Sequence, residues 1–401
     1  MTQSDRPLRT IGMISGTSFD GIDVAVVDVG VADDVVSLSI VGSASYDYPE
    51  GLTAQIAAVL PPAQVSIEDV CKLDTRIGQA FATAAARAND EIAGGSAELI
   101  GSHGQTVFHW VENRQAMGSL QLGQPAWIVE ATGLPVIADF RAADIAAGGH
   151  GAPLASSFDV MLLRGREGGP RAALNLGGIS NVTLVDESEP IAYDIGPANA
   201  LIDIATQWAS DGSESYDANG ARAAAGHVNP ALLSHLLDEP YYALDPPKST
   251  GKELFSARYL DAALDAVGPV EANDVVATTT HHAAKVIGDD LRRRGITEVV
   301  AAGGGTSNPL LMRHIADALA PARVTTMEDY GVPNDAKEAV FFAMFAALMA
   351  HGYSVTVASC TGAASERGLG VIVPGATAPI GGVDVAFHRP RPARIMIAAG
   401  R

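Results

Sequence analysis

The sequence predicts a two-lobed α/β protein, and three observations support that prediction. The chain has 401 residues, more than the roughly 250–300 at which a single hydrophobic core stops growing. Apolar segments of strand length and helix length alternate along it. One order of segments, namely a hairpin, a third strand, helices, a strand and a glycine turn, occurs once in each half. Such a repetition predicts two related lobes with a cleft between them.

Composition and charge exclude several classes of protein. Hydrophobic residues make up 47% of the chain and charged residues 18%, which indicates a folded rather than a disordered protein. A formal net charge of −20 would repel a phosphate backbone, so nucleic acid is not an expected partner. Cys71 and Cys360 lack metal-ligand spacing. The sequence has no signal-peptide pattern and no apolar run long enough for a membrane span, so we expect a cytoplasmic protein without a membrane partner.

The first half begins with β-branched runs that are separated by turn residues. These runs predict strands at 8–14, 22–29 and 35–41. Helical periodicity then predicts helices at 51–60 and 66–93, followed by short strands at 99–102 and 134–138. Gly148, Gly149 and Gly151 interrupt this pattern and mark the boundary region between the lobes.

The second half repeats the order of the first. Strands are predicted at 171–176, 181–185 and 191–194, and helices at 198–208 and 272–294. A strand at 298–302, a helix at 308–318 and a strand at 322–326 complete it. We therefore assign residues 1–140 to an N-terminal lobe, residues 141–373 to a C-terminal lobe, and residues 374–401 to a tail that can return to the N-terminal lobe.

The turn of the first hairpin has the composition of a phosphate-binding loop. It consists of Gly16, Thr17, Ser18, Phe19, Asp20, Gly21, Ile22 and Asp23. Glycines let the backbone approach phosphate oxygens, and successive amides and hydroxyls can donate to them. Asp20 or Asp23 could hold Mg²⁺ directly or through water. An ordinary hairpin turn with solvated acids is the alternative interpretation.

Two glycine turns in the second half also suggest a ligand site. Asp194 ends a strand, and the following Gly-Pro pair opens a helix, a common position for a catalytic carboxylate. A simple helix cap explains the same residue. The glycines at 303–305 come between a strand and a helix, and they could form a flat surface for adenosine or merely a tight turn. No Walker-type loop and no protein-kinase signature occurs in the sequence.

Polar side chains cluster near two predicted strand ends in the first half. They occur at 102–106, which includes His103 and Gln105, and at 139–153, which includes Arg141 and Asp144. A sugar requires many hydrogen-bonding groups of this kind. His103 could equally be a structural histidine. The loop at 248–252 carries two lysines and two hydroxyls and could reach an anion, although a solvated loop is the duller alternative.

Taken together, these motifs resemble the anhydro-N-acetylmuramic acid kinase family. The matching blocks are residues 11–23, 103–107, 139–154, 175–183, 193–199, 247–255 and 303–312. The resemblance implies an actin-like ATPase (sugar kinase) fold of duplicated ribonuclease-H-like domains with a central cleft, ATP and Mg²⁺ as cofactors, and a homodimer. It also implies conversion of 1,6-anhydro-N-acetylmuramic acid, ATP and water to N-acetylmuramic acid 6-phosphate and ADP, in the recycling of cell-wall sugars.

The resemblance also implies roles for individual residues. Asp194 is expected to be the catalytic base, and Asp20 and Asp23 the metal ligands. The expected ATP-binding residues are those from Gly16 to Asp23 together with Gly177, Gly178, Gly196, Asn199, Gly303, Gly304, Gly305 and Asn308. The expected substrate-binding residues are His103, Gln105, Arg141, Asp144 and Glu338.

Three departures from the family pattern leave alternatives open. Ile195 and Ala198 stand where the family usually has Thr and Gly, which bears on ATP geometry. Arg141 is followed by two alanines in place of an arginine-rich run, and His150 replaces an expected Gln, which bears on the identity of the sugar. The alternatives are a kinase for another 1,6-anhydro sugar such as levoglucosan, a non-catalytic nucleotide-gated module, and a degenerate regulatory member of the family.

Overall fold

The computed structural model describes residues 6–16, 18–165, 168–186, 188–375 and 390–398. Its strands are β1 Leu8–Ser15, β2 Ile22–Ala32, β3 Val35–Tyr46, β4 Leu99–Glu112, β5 Gln115–Leu122, β6 Val136–Ala138, β7 Arg171–Leu176, β8 Ile179–Val185, β9 Ile191–Pro197, β10 Glu298–Ala302, β11 Arg323–Thr326, β12 Val371–Val373 and β13 Arg394–Ile397. Its α-helices are α1 Leu52–Val59, α2 Ile67–Glu91, α3 Ala126–Thr132, α4 Ala142–Ala146, α5 Ala155–Leu163, α6 Asn199–Ala209, α7 Ala221–Ala225, α8 Pro230–Leu237, α9 Ala257–Val267, α10 Ala272–Arg293, α11 Pro309–Leu319, α12 Lys337–Ala350 and α13 Ala358–Thr361. Single turns of 3₁₀ helix lie at Ala218–Gly220, Pro240–Ala243, Gly304–Ser307 and Met327–Tyr330.

The chain folds as two compact units. The first unit combines the residues up to Arg164 with those from Tyr330 onward, and the second unit runs from Gly165 to Asp329. In the first unit the strand order is β12-β6-β4-β1-β2-β3-β13, and β5 pairs with β4 outside that path. Strands β1, β2 and β3 form an antiparallel meander, whereas β4 runs parallel to β1 and β6 parallel to β4.

The second unit has the same topology in a smaller sheet, with the order β11-β10-β7-β8-β9. Strands β7, β8 and β9 form the antiparallel meander, β10 runs parallel to β7, and β11 runs parallel to β10. Both units therefore contain three antiparallel strands followed by two parallel ones, which is the ribonuclease-H-like arrangement. The predicted α/β fold with a duplicated domain is confirmed.

The unit boundaries differ from those expected from the sequence, and the packing of α12 explains part of the difference. This helix is apolar all round and almost entirely buried, as expected of a core helix. A Cβ atom on Gly12 in β1 would lie 1.8 Å from the carbonyl oxygen of Ala339, and one on Gly101 in β4 would lie 2.4 Å from that of Phe342. The helix thus lies directly on the first sheet, so residues 330–373 belong with the first unit.

Two further parts of the chain also differ from the sequence-based expectation. Residues 141–164 belong to the first unit rather than to a lobe beginning at residue 141. Strand β4 continues beyond the end expected at residue 102 and through the motif at 102–106, because its far end pairs with β5 in an unpredicted hairpin. In the tail, β13 pairs in parallel with β3 and so lies in the first unit. Residues 376–389 and 399–401 lie outside the described part of the chain.

Within the ranges that the structure describes, no helix is both long enough and apolar enough to cross a lipid bilayer.

Candidate functional site

The hairpin between β1 and β2 forms a compact turn with an open face. The backbone N–H of Phe19 donates to the carbonyl oxygen of Gly16 at 3.1 Å, and Phe19 has a φ of 43°. Ser18 Oγ donates to Asp20 Oδ1 at 2.9 Å. A Cβ on Gly16 would meet nothing closer than Ser18 Oγ at 3.9 Å, so a ligand could approach the backbone there. Thr17 lies outside the described residues.

Asp23 lies in a concentration of negative charge beside this turn. Burial raises the pKa of Asp23, the nearby carboxylates of Asp20 and Asp335 raise it further, and Ser45 partly offsets the increase. A divalent cation would relieve this repulsion. Among the described residues, however, no three His, Cys, Asp or Glu side chains are grouped as a metal cage. The residues fit Mg²⁺ held by one or two carboxylates and by phosphate oxygens, which is its usual mode with nucleotides.

Three other residues that we expected to contact ligands mainly support this hairpin. Ile22 is part of the hydrophobic core. A Cβ on Gly21 would lie 3.1 Å from Ser45 Oγ and from the backbone oxygen of Tyr46. The glycine therefore lets β2 and β3 pack closely at this point. Gln105 is buried, and its Nε2 donates to the carbonyl oxygen of Gly16 at 3.2 Å. Gln105 therefore connects the end of β4 to the turn.

His103 and Arg141 form a hydrogen-bonded pair at the end of β4. Arg141 Nε donates to His103 Nε2 at 3.3 Å, and the buried imidazole stacks on Phe342 with ring centroids 4.4 Å apart. Burial and the neighbouring guanidinium hold the pKa of His103 well below its ordinary value. His103 is therefore neutral, and because Nε2 accepts a hydrogen bond, its proton lies on Nδ1.

Arg141 also connects this pair to other charged groups of the first unit. Its Nη1 donates to the carbonyl oxygen of Gly151 at 2.7 Å. Burial lowers the pKa of Arg141, and Glu338 partly offsets that effect. Burial likewise raises the pKa of Glu338, which Arg141 opposes, although the Glu338 side chain remains accessible to solvent. Burial lowers the pKa of His109, and the nearby Arg141 and His150 lower it further. Arg141 therefore supplies the positive charge of this cluster, because the lowered pKa values of His103 and His109 favour neutral imidazoles.

Asp144, which we expected to contact substrate, makes hydrogen bonds within the protein. It is completely buried. Its Oδ2 accepts a hydrogen bond from the Gly151 N–H at 2.7 Å, and its Oδ1 accepts one from Thr361 Oγ at 2.7 Å. A Cβ on Gly149 would lie 2.2 Å from Oδ2. Asp144 therefore supports the loop whose Gly151 carbonyl oxygen accepts a hydrogen bond from Arg141.

In the second unit, Asp194 is half-buried on β9 and held by a distant loop. Its Oδ2 accepts hydrogen bonds from Ser249 Oγ at 2.8 Å and from the Thr250 N–H at 3.0 Å. The hydroxyl of Tyr241 donates to the Asp194 carbonyl oxygen at 2.7 Å. Within the described chain, Oδ1 receives no hydrogen bond. Burial raises the pKa of Asp194, the two donors to Oδ2 oppose this, and Glu253 adds to the increase.

This arrangement suits a general base. A carboxylate is a stronger base when its pKa is raised, and it must be held in one orientation with an oxygen free to take the proton. Asp194 satisfies each condition. Ser249, Thr250 and Tyr241 were not expected to support it. The hydroxyls of the loop at 248–252 were the available signal, but the sequence suggested an anion site there.

The glycine turn between β7 and β8 closes onto the start of α6. The carbonyl oxygen of Gly178 accepts hydrogen bonds from the N–H groups of Ala198 and Ala200, and that of Gly177 accepts one from Asn199. The Asn199 side chain donates to the carbonyl oxygen of Leu176 at 3.1 Å. The first amides of the helix are therefore occupied within the protein, and the Asn199 side chain is likewise engaged in joining the turn to the helix.

The glycine run at 303–305 lies beside the end of β7. A Cβ on Gly303 would lie 2.6 Å from Asn175 Oδ1, and one on Gly305 would lie 2.7 Å from the Leu176 Cβ. Both glycines are thus required for packing. Gly304 differs, because a Cβ there would meet no atom within 4 Å. The run presents an open backbone surface at Gly304 alone.

Two other expected ATP-binding residues have structural contacts. Asn308 is the N-cap of α11, and its Oδ1 accepts hydrogen bonds from the N–H groups of Leu310 and Leu311. A Cβ on Gly196 would lie 3.0 Å from Tyr242 Cε1. Each residue is well explained by packing or capping. The Asn308 cap is a local contact that the following proline indicates, whereas the contact at Gly196 depends on a residue distant in sequence.

A cavity of about 410 Å³ in the second unit is distinct from the Asp194 carboxylate. It is lined by Ile195 and Lys248, among others, and not by Asp194. Side chains of consecutive strand residues point to opposite faces of a sheet. Because Ile195 lines this cavity, the cavity lies on the face of the sheet opposite to the Asp194 side chain.

The chain matches known proteins over most of its length. Residues 8–375 match the family model described as anhydro-N-acetylmuramic acid kinase. The anhydro-N-acetylmuramic acid kinase of Streptomyces avermitilis is 52% identical over 92% of this chain and 95% of that protein. That of Rhodococcus erythropolis is 50% identical over 92% of this chain and 94% of that protein. A glucokinase of the ROK family from Streptomyces griseus, solved with glucose and AMPPNP, is 15% identical over 84% of this chain and 99% of that one, with a TM-score of 0.36.

Proposed function

The chain belongs to the anhydro-N-acetylmuramic acid kinase family and is a phosphotransferase, and from this premise we propose how its own residues carry out the reaction. The enzyme opens 1,6-anhydro-N-acetylmuramic acid and phosphorylates O6. ATP and water are consumed, and N-acetylmuramic acid 6-phosphate and ADP are formed.

The reaction needs only one acid–base residue at the anomeric carbon. Ordinary glycoside hydrolysis uses two carboxyl groups, one of which protonates the leaving oxygen. Here the leaving O6 takes the γ-phosphoryl group of ATP, so no general acid is required. A single base must remove a proton from the water that attacks C1. This requirement matches one oriented carboxylate.

Asp194 is the base in this proposal. The observation that supports this role most strongly is the pair of hydrogen bonds to its Oδ2. Ser249 and Thr250 hold one oxygen, which leaves Oδ1 to receive the proton from water. The raised pKa of Asp194 strengthens its carboxylate as a base. Ile195, where the family usually has Thr, has its side chain in the core of the second unit.

ATP phosphates are assigned to the first hairpin, through its backbone around Gly16 and Ser18. The open space at Gly16 would allow the close approach that phosphate oxygens need. Mg²⁺ would be held by Asp23 and Asp20, whose mutual repulsion a cation relieves. When bound, the ion supplies positive charge that offsets charge on the transferring phosphoryl group.

In the second unit, we assign further ATP contacts to the backbone of the glycine turn at Gly177 and Gly178 and to the surface at Gly304. Gly304 suits the flat adenine ring because it presents backbone without a side chain or a close neighbour. Gly303, Gly305 and Asn308 shape that surface through their packing and capping contacts.

We assign the sugar to the residues around Arg141 in the first unit. Arg141 has donor hydrogens beyond those given to His103 and Gly151, so its guanidinium can also pair with the lactyl carboxylate of the substrate. Glu338 is accessible and can accept hydrogen bonds from sugar hydroxyls. We also propose that the enzyme is cytoplasmic and forms a homodimer. Light scattering on the purified protein would test the dimer.

Replacing the base tests this proposal. We expect Asp194→Asn to bind ATP as the wild type does but to turn over roughly 10²–10⁴-fold more slowly. Asp265→Asn is the matched control, because Asp265 is an exposed carboxylate on α9 of the same unit, and it should turn over normally. ADP formation that depends on added sugar should be measured for each. Near-wild-type turnover by Asp194→Asn would refute the assignment, and ADP formation that ignores the sugar would favour a nucleotide-gated module.

A further inference from the structure

The segment that holds the Asp194 carboxylate is itself anchored by a buried lysine. Residues 248–250 make three hydrogen bonds with Asp194. Two are the donors to its Oδ2, and in the third the Asp194 N–H donates to the carbonyl oxygen of Lys248 at 3.3 Å. The Lys248 side chain is only 6% exposed. Within the described chain its Nζ has no hydrogen-bond partner and no carboxylate within ion-pair distance. Such a desolvated ammonium group requires another form of stabilisation.

Two tyrosine rings provide that stabilisation. Lys248 Nζ lies 4.9 Å from the ring centroid of Tyr241 and 5.8 Å from that of Tyr193. Cations within about 6 Å of an aromatic centroid are attracted to the ring face, most strongly where water is excluded. Burial lowers the pKa of Lys248, and Arg293 and Arg294 lower it further, whereas Asp290 and Asp245 oppose that effect.

Both rings are connected to Asp194. Tyr193 directly precedes it on β9, and the Tyr193 hydroxyl donates to the buried carboxylate of Asp290. The hydroxyl of Tyr241 donates to the carbonyl oxygen of Asp194. The lysine side chain therefore connects the segment at 248–250 to the residues that fix the backbone of Asp194.

We propose that Lys248 is a positioning residue for the kinase reaction: its ammonium group, held between the rings of Tyr193 and Tyr241, fixes the segment whose Ser249 and Thr250 donors orient Asp194. Lys248 does not contact the reacting atoms. The inference rests on the proposed role of Asp194 as the base.

The pH dependence of turnover reports this positioning. The donors at Ser249 and Thr250 lower the pKa of Asp194, whereas burial and Glu253 raise it. Displacement of the segment would remove the lowering effect and leave the raising ones. The acidic limb of the activity profile would then move to higher pH, because the base would take up a proton sooner as the pH falls.

Lys248→Met, which keeps the chain length and removes the charge, is the central variant. We expect kcat to fall roughly 10–100-fold, with KM for ATP within about twofold, and the acidic limb of kcat to move up by about one pH unit. Lys248→Arg retains a cation that can lie on aromatic rings and should restore most of both properties. Lys285→Met, which removes a lysine from a surface ion pair on α10, should leave both unchanged.

Ser249→Ala covers the case in which Lys248→Met fails to fold. It removes one donor to Asp194 without touching the lysine, and it should move the acidic limb in the same direction. A soluble Lys248→Met enzyme with wild-type kcat and an unmoved limb would overturn the inference, as would an unmoved limb in Ser249→Ala. Asp194→Asn separates this failure from that of the proposed function, since an active Asp194→Asn enzyme would refute the base itself.

Discussion

Arg141 Nε donates a hydrogen bond to Nε2 of His103 at 3.3 Å, and this contact determines which imidazole nitrogen carries the proton. The same guanidinium donates to the carbonyl oxygen of Gly151 and interacts electrostatically with Glu338. Arg141 therefore has two roles that can be tested separately. It orders the residues around it, and it provides positive charge for an anionic sugar.

The charge of Arg141 should matter only for a sugar that carries a carboxylate. We expect Arg141→Ala to lower kcat/KM for 1,6-anhydro-N-acetylmuramic acid about 10–100-fold, as for loss of a charged hydrogen bond, while KM for ATP is unchanged. Levoglucosan has no lactyl group, so any activity toward it should fall much less. Arg9→Ala, which breaks a partly exposed pair with Asp28, is the control. An equal loss for both sugars would contradict carboxylate recognition, and a wild-type preference for levoglucosan would support the alternative kinase.

Asp144 should matter for stability rather than for binding. Asp144→Ala removes both acceptor oxygens, so the Gly151 N–H and the Thr361 hydroxyl lose their hydrogen-bond partner inside the protein. We expect the free energy of unfolding to fall by about 2–4 kcal/mol in urea denaturation. Thr361→Val removes one donor only and should cost less. Wild-type stability together with a raised KM for the sugar would return Asp144 to the substrate site.

Gly304 allows a test of the adenosine surface that does not disturb folding. A Cβ at this position meets no protein atom within 4 Å, so Gly304→Ala should have an unchanged Tm. The added methyl should nevertheless raise KM for ATP about tenfold by crowding the bound base. Gly118→Ala is a matched control, because a Cβ there makes only an ordinary contact of 3.6 Å with Trp110. An unchanged KM for ATP in Gly304→Ala would place the nucleotide elsewhere.

Asp203 on α6 should give the second unit a measurable pH dependence of stability. Burial raises the pKa of Asp203 from 3.8 to about 6, and Lys252 partly opposes this. A raised pKa in the folded state means that the stabilisation is complete below pH 3.8 and is lost as the pH rises through about 6. Asp203→Asn cannot ionise, so it should gain about 2 kcal/mol of unfolding free energy relative to wild type between pH 4 and pH 8. Urea denaturation at both pH values measures this difference, and a constant difference would contradict the raised pKa.

Local patterns were sufficient to predict the central strands of both units. The bounds of β7 and β10 agree with the prediction because each is a short apolar run that ends at a glycine turn. Strand β5 was missed, since the hairpin that it forms with β4 carries exposed apolar residues such as Phe108 and Trp110 without a clear alternating pattern. The position of α12 was equally hidden, because an apolar helix does not specify which sheet it covers.

The candidate site was predictable only as far as single motifs allow. Asp194 could be placed at a strand end, but the donors that hold it follow 55 and 56 residues later. One hydrogen-bond partner of Asp144, Thr361, lies 217 residues away, so no local pattern indicated that this carboxylate is completely buried. The packing at Gly303 likewise depends on a distant residue, Asn175. Sequence motifs identified the residues, whereas their roles depend on long-range hydrogen bonds.

The most direct test of the account is product analysis after incubation with Mg-ATP and 1,6-anhydro-N-acetylmuramic acid in ¹⁸O-labelled water. Attack of water at C1 with phosphoryl transfer to O6 predicts one ¹⁸O atom at C1 of the product and phosphate on an unlabelled O6. Mass spectrometry of the sugar phosphate distinguishes the two positions. Product that carries no label at C1, or phosphate at any other oxygen, would contradict the mechanism and with it the role of Asp194.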